Sequence, residues 1–192
     1  MACTIRMLAL ALVVGCAALQ PPWVTGQSAP PNLTALKGQM KVFDAVVDQT
    51  MSQTFTAPFG LLEKTQGAYL PNFGVIFSLE VNLSATRLPS LFDPRPLTQA
   101  EIDRAQHVDR ERITLLRQTI PRLLADHATG LHDLDATAYL AVVVHLFQIE
   151  TAAELTVPSQ LVIEARKSDL AQFWDKKISY QQLVARIKIL QM

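Results

Sequence analysis

The chain has only two cysteines, Cys3 and Cys16, and both sit in its first 16 residues. The remainder of the chain is cysteine-free, which excludes thiol catalysis and a disulfide framework there, so stability must come from packing. An excess of charge of one sign is lacking too: 17 Lys and Arg meet 17 Asp and Glu. Such a surface gives no electrostatic reason to bind nucleic acid or anionic lipid. Ser84, Ser90, Ser159 and Ser179 lack the Gly-x-Ser-x-Gly context of a nucleophile elbow, which leaves a hydrolytic triad unsupported. No motif in the chain points to a cofactor.

What is present begins with an export leader. Arg6 precedes an apolar run from Met7 to Val14, which ends at Gly15-Cys16 before small and turn-forming residues. These residues allow three fates. A signal peptidase cuts after Ala17, Ala18 or Gly26, giving a free exported protein. Alternatively, Val13-Val14-Gly15-Cys16 resembles a bacterial lipobox, with Cys16 as the lipidation site, and Pro21, Pro22, Pro30 and Pro31 then belong to a tether. In the third, Met7 to Val24 is retained as an anchor, although it is barely long enough for about 30 Å of hydrocarbon and contains two prolines. Removing the leader subtracts Arg6 and leaves 16 basic against 17 acidic residues. The expected organisation is a leader over 1–26, a tether over 27–32 and a single α+β domain over 33–192.

Leu36, Met40, Phe43, Val47 and Met51 recur with the period of one helix face, so an amphipathic helix is expected from Leu33. Val75, Phe77, Leu79, Val81 and Leu83 alternate with Ser78, Glu80 and Asn82, which predicts a strand with one apolar and one increasingly polar face. Residues 84–97 carry Pro89, Pro94 and Pro96 and read as a surface loop. Thr98-Gln99-Ala100-Glu101 has capping-box spacing and opens a long helix running to about Ala128. Pro121 is expected to kink or interrupt that helix, and Gly130 to close it as a left-handed C-cap.

The nearly continuous apolar run Ala138 to Ile149 predicts a central strand covered on both faces, and Leu161 to Arg166 a further strand. Two short helices are expected at Asp169 to Lys176, capped by Ser168 or Asp169, and from Ser179 to about Ile189. These elements predict a small antiparallel or mixed sheet with helices on one face.

The stretch Tyr69-Leu70-Pro71-Asn72-Phe73-Gly74-Val75-Ile76-Phe77 resembles a Tyr-aliphatic-Pro-Gly-aromatic-Gly-x-aliphatic-Phe signature of uncharacterised exported bacterial proteins. Glu164-Ala165-Arg166-Lys167-Ser168-Asp169-Leu170 and Lys177-Ile178-Ser179 are similar to their C-terminal pattern. Asn72 stands where the signature has its first glycine, and asparagine is the next best residue for a positive φ. The resemblance covers about a fifth of the chain and implies no activity.

Four sets of residues could carry chemistry. His127, His132, Asp133 and Asp135 form a candidate divalent-metal cluster, although polar residues closing a helix, with His127 near the negative end of its dipole, explain the same composition. His145 is either a base held at low dielectric or a hydrogen-bonded core or interface histidine. Glu80 and Glu150 could meet as paired carboxylates if their strands are neighbours. Trp174 and Phe173 could anchor an interface or pack in the core.

The balance of these features predicts an exported, envelope-associated, non-enzymatic module, a lipoprotein or accessory subunit with a protein partner in the periplasm or cell envelope. The alternatives are an exported hydrolase or metal-dependent enzyme using the strand-end glutamates or the His127 to Asp135 segment, and a small-ligand carrier with a pocket between the sheet and the Leu33 helix. Oligomeric state is open at this level.

Overall fold

The computed structural model describes residues 32–55, 60–83, 95–147 and 158–192. In chain order these form α1 (Leu33–Thr54), β1 (Gly60–Leu70), β2 (Gly74–Asn82), α2 (Gln99–His127), a 3₁₀ turn (Ala128–Gly130), β3 (Tyr139–Phe147), β4 (Gln160–Arg166), α3 (Lys167–Trp174), α4 (Tyr180–Val184) and β5 (Lys188–Gln191). The strands make one sheet in the order β1-β2-β3-β4-β5. Only β2 and β3 are parallel, and α2 is the crossover between them. The result is a single small α+β domain with helices packed on a mixed sheet.

All of the expected apolar stripe of α1, from Leu36 through Met51, is buried. Every core residue from the three central strands lies on the same sheet face: Val75, Phe77, Leu79 and Val81 of β2, Leu140, Val142, Val144 and Leu146 of β3, and Leu161, Ile163 and Ala165 of β4. Phe43 meets Phe77 with ring centroids 4.5 Å apart. Thr98 and Glu101 form the expected capping box at the start of α2.

Several local expectations are corrected. Pro121 does not interrupt α2, because it sits among buried Ile120, Leu123 and Leu124 and their burial outweighs one missing backbone hydrogen bond. Gly130 is not left-handed. The helix tightens into a 3₁₀ turn closed by the Leu131 amide on the Ala128 carbonyl. α3 starts at Lys167 with no side-chain cap, which leaves Asp169 free to pair with Arg186 at 2.9 Å. Ser179 does cap α4, but that helix ends at Val184. Lys188–Gln191 is a strand instead, where Ile189 pairs with Ile163. β3 is central as expected: Leu140, Val142, Val144 and Leu146 are buried on the helix side, while on the other face Ala141 is buried, Tyr139 and Val143 are half-buried and His145 and Phe147 are exposed.

The hairpin between β1 and β2 explains the Tyr69 to Phe77 stretch. Asn72 has φ 65° and Gly74 φ 139°, so the asparagine does adopt the conformation glycine would favour. A Cβ on Gly74 would lie 2.1 Å from the Tyr139 carbonyl oxygen, which makes glycine obligatory where β3 docks alongside β2. Phe73 stacks on Tyr139 at 5.5 Å, and the Arg166 guanidinium lies 5.0 Å from the centre of the Tyr139 ring and donates to its hydroxyl. The two stretches that carry the sequence resemblance thus converge on one end of the sheet.

Candidate functional site

The sheet face opposite the helices is where most of the unexplained side chains gather. Strand register places Gln66, Ser78, Val143, Val162 and Leu190 in one row across all five strands. Beside it runs Ala68, Ile76, Ala141, Glu164 and Lys188, and on its other side Glu63, Glu80, His145 and Gln160. Among the described residues no helix packs on this face. Ala141 is buried on this face and is not part of the core cluster. Leu70, Phe147 and Leu190 remain 42 %, 40 % and 42 % exposed. A sheet with one wet face ordinarily alternates polar residues outward. Here Ile76, Val143, Val162 and Leu190 run across its middle instead.

His145 lies on this open face, exposed and not buried as the apolar run around it suggests. Its Nε2 is 3.1 Å from Ser78 Oγ, and its Nδ1 is 3.4 Å from Gln160 Nε2. With the Gln160 amide donating to Nδ1, the ring hydrogen sits on Nε2 and donates to Ser78. A ring nitrogen that already carries its hydrogen cannot take the serine proton. Ser78 also lies in β2, which is paired on both sides, so the amides around it belong to the sheet ladder. Ser78 went unremarked as a partner of His145 because strand pairing is not written in one sequence. The only signal was that both residues fall on alternating positions of their strands.

Glu80 stands on the same face, level with His145 on β3 and Glu63 on β1. Glu150 falls outside the described residues, as do Cys3 and Cys16.

The His127 to Asp135 segment is organised by a lysine. Lys167 Nζ donates to the carbonyls of Leu131 at 2.6 Å, His132 at 3.2 Å and Leu134. Burial pushes the Lys167 ammonium below its ordinary value, while Asp133 and Asp135 act in the opposite direction. The turn therefore already surrounds a cation of its own. Gln39 on α1 donates to Asp133 and accepts from its amide at 3.2 Å, and its Nε2 is 3.0 Å from His132 Nε2. Asp135 caps Thr137 through its amide at 2.7 Å and its hydroxyl at 2.6 Å. His127 is exposed at the end of α2. Among the described residues, no group of three or more His, Cys, Asp and Glu side chains is arranged to hold a metal ion.

Trp174 is half-buried, and its indole N–H donates to the Ala125 carbonyl at 2.6 Å, tying α3 to the end of α2. It lines a shallow, open groove of about 640 Å³ with Phe173, Ile178, Lys176 and Lys177. No family model, curated protein or solved structure matches the chain. No described helix is long and apolar enough to cross a membrane.

Proposed function

We propose that the chain is an exported, envelope-associated, non-enzymatic module that holds a protein partner against the open face of its sheet, as an accessory subunit of a larger assembly. The observation that carries this is the row of Val143, Val162 and Leu190, with Ile76 in the row beside it. These are apolar side chains on the face that no described helix covers. Apolar residues surrounded by Ser78, Glu80, Gln160 and Glu164 have the composition of an interface core with a polar rim. The leader-like stretch from Arg6 to Cys16 supports a partner in the periplasm or envelope, reached with or without a lipid on Cys16.

The second reading, an exported hydrolase, draws on the contact between Ser78 and His145. It requires Gln160 to turn its amide over, so that its oxygen accepts from Nδ1–H and Nε2 is freed as a base. It also requires an oxyanion donor that the paired sheet does not offer.

One comparison separates them. Purified from its own host's envelope, a Val162→Glu variant should lose the bound partner while Ser78→Ala and His145→Ala keep it. Loss of a hydrolytic activity in Ser78→Ala, with partner retention unchanged in Val162→Glu, would favour the enzyme.

A further inference from the structure

The two edges of the sheet are built differently. β1 carries two register shifts against β2, between Leu61 and Glu63 and between Glu63 and Gln66. It exposes Glu63 and Lys64, and its Thr65 amide is taken by Asp48 of α1. Bulges, charges and a covering helix are how proteins blunt an edge against further pairing. Among the described residues β5 has no bulge and no covering helix and carries one charge, Lys188: it pairs with β4 in unbroken register from Lys188 to Gln191.

The orientation of its free groups can be read from the ladder. Gln160 and Met192 exchange both backbone hydrogen bonds, at 3.1 Å each. Bonded pairs alternate in an antiparallel ladder, so Leu190 and Lys188 also bond toward β4. The N–H and C=O groups of Ile189 and Gln191 therefore point away from the sheet.

We infer that a second copy of this chain adds its own β5 to this edge, antiparallel, about a two-fold axis at Leu190. Ile189 then faces the partner's Gln191 and Gln191 the partner's Ile189. Each pair exchanges two hydrogen bonds, which uses all of the outward groups. In this register Leu190 meets its own copy in the closely spaced non-bonded position, and the exposed Lys188 lies opposite the exposed Met192 of the partner, so no like charges meet. Slipping the register by two residues leaves a single bonded pair of Ile189 or Gln191 with its own copy. The self-complementary register is an isologous interface, and it joins two five-stranded sheets into one of ten strands. The open face is not covered in this dimer, and Leu190 is the residue shared between the edge and that face.

Gln191 is exposed, and its amide is not used by β4, so proline is tolerated there by the fold while it blocks pairing. Sedimentation of the full chain from about 5 to about 500 µM should show wild type moving from monomer to dimer. Gln191→Pro should weaken association by more than about tenfold, with its melting temperature unchanged. Hydrogen exchange on the wild type gives a readout free of any folding defect: the amides of Ile189 and Gln191 should slow as concentration rises, while that of Leu190 is slow throughout. A wild type that is monomeric over the whole range, a Gln191→Pro variant that dimerises equally well, or exchange at Ile189 and Gln191 that ignores concentration would overturn the inference. Protection of those two amides only on adding envelope extract would assign the edge to a foreign strand and overturn it as well.

Discussion

Asp48 on α1 holds Thr65 on β1 through a single oxygen: Oδ1 accepts from the Thr65 amide at 2.9 Å and from its hydroxyl at 2.6 Å. Thr65 is buried, so both donors would be orphaned without the carboxylate. Asp48→Ala should cost about 1–3 kcal/mol in chemical denaturation. Hydrogen exchange should show β1 opening ahead of β3 in that variant.

One turn earlier, Asp44 is in the opposite situation. Its Oδ1 is buried without a hydrogen-bond partner, and desolvation raises the carboxyl above its ordinary value of 3.8. A hydrogen bond from the Gly67 backbone opposes the shift and the nearby Asp48 charge adds to it. Below 3.8 the group is protonated in both folded and unfolded chains and its contribution is fully present; as pH rises through the elevated folded value, that stability is lost. Asp44→Asn should therefore stabilise the domain at neutral pH, by less than about 1 kcal/mol because the half-exposed charge is screened. It should also flatten the fall in stability just above 3.8. Thermal melts of both proteins across that range check this.

Gly74→Ala should be among the most damaging single substitutions in the chain. The added methyl would sit 2.1 Å from the Tyr139 carbonyl oxygen and 2.8 Å from its nitrogen, at a φ of 139°. β2 and β3 cannot separate without breaking the centre of the sheet, so a loss of more than about 3 kcal/mol, or failure to fold, is expected. Circular dichroism with a melting curve measures it.

Lys167→Met should keep the aliphatic stem but remove the ammonium from the carbonyls of Leu131, His132 and Leu134, of which Leu131 keeps the Leu134 amide. A loss of about 1–3 kcal/mol is expected, with disorder confined to the turn that follows α2. Backbone amide shifts of residues 131–137 would report it.

Much of this architecture was legible because its signals are local. The stripe of α1, the alternation of β2 and the Thr98 capping box each arise from side chains a few residues apart, and each is found in place. β1 was hidden because its two bulges break the period of two: Leu61 and Leu62 are adjacent, as are Glu63 and Lys64. β5 was absorbed into an expected helix because four residues carry too little pattern to tell the two apart.

The candidate face was harder to see. The apolar run from Ala138 onward reads as a strand buried on both sides, yet only its Leu140, Val142, Val144 and Leu146 face contributes to the core cluster. Which residues of β2 flank that strand depends on a parallel pairing reached through a 29-residue helix, and no local pattern encodes it.

Site-specific photo-crosslinking in the envelope of the native host tests the central claim most directly. A photoreactive residue replaces Val162 on the open face in one strain and Val42, 67 % exposed on α1, in another. The account predicts a discrete protein adduct from position 162 and none from position 42. Adducts of equal yield from both positions, or none from position 162 while the protein is present at its normal level, would contradict it.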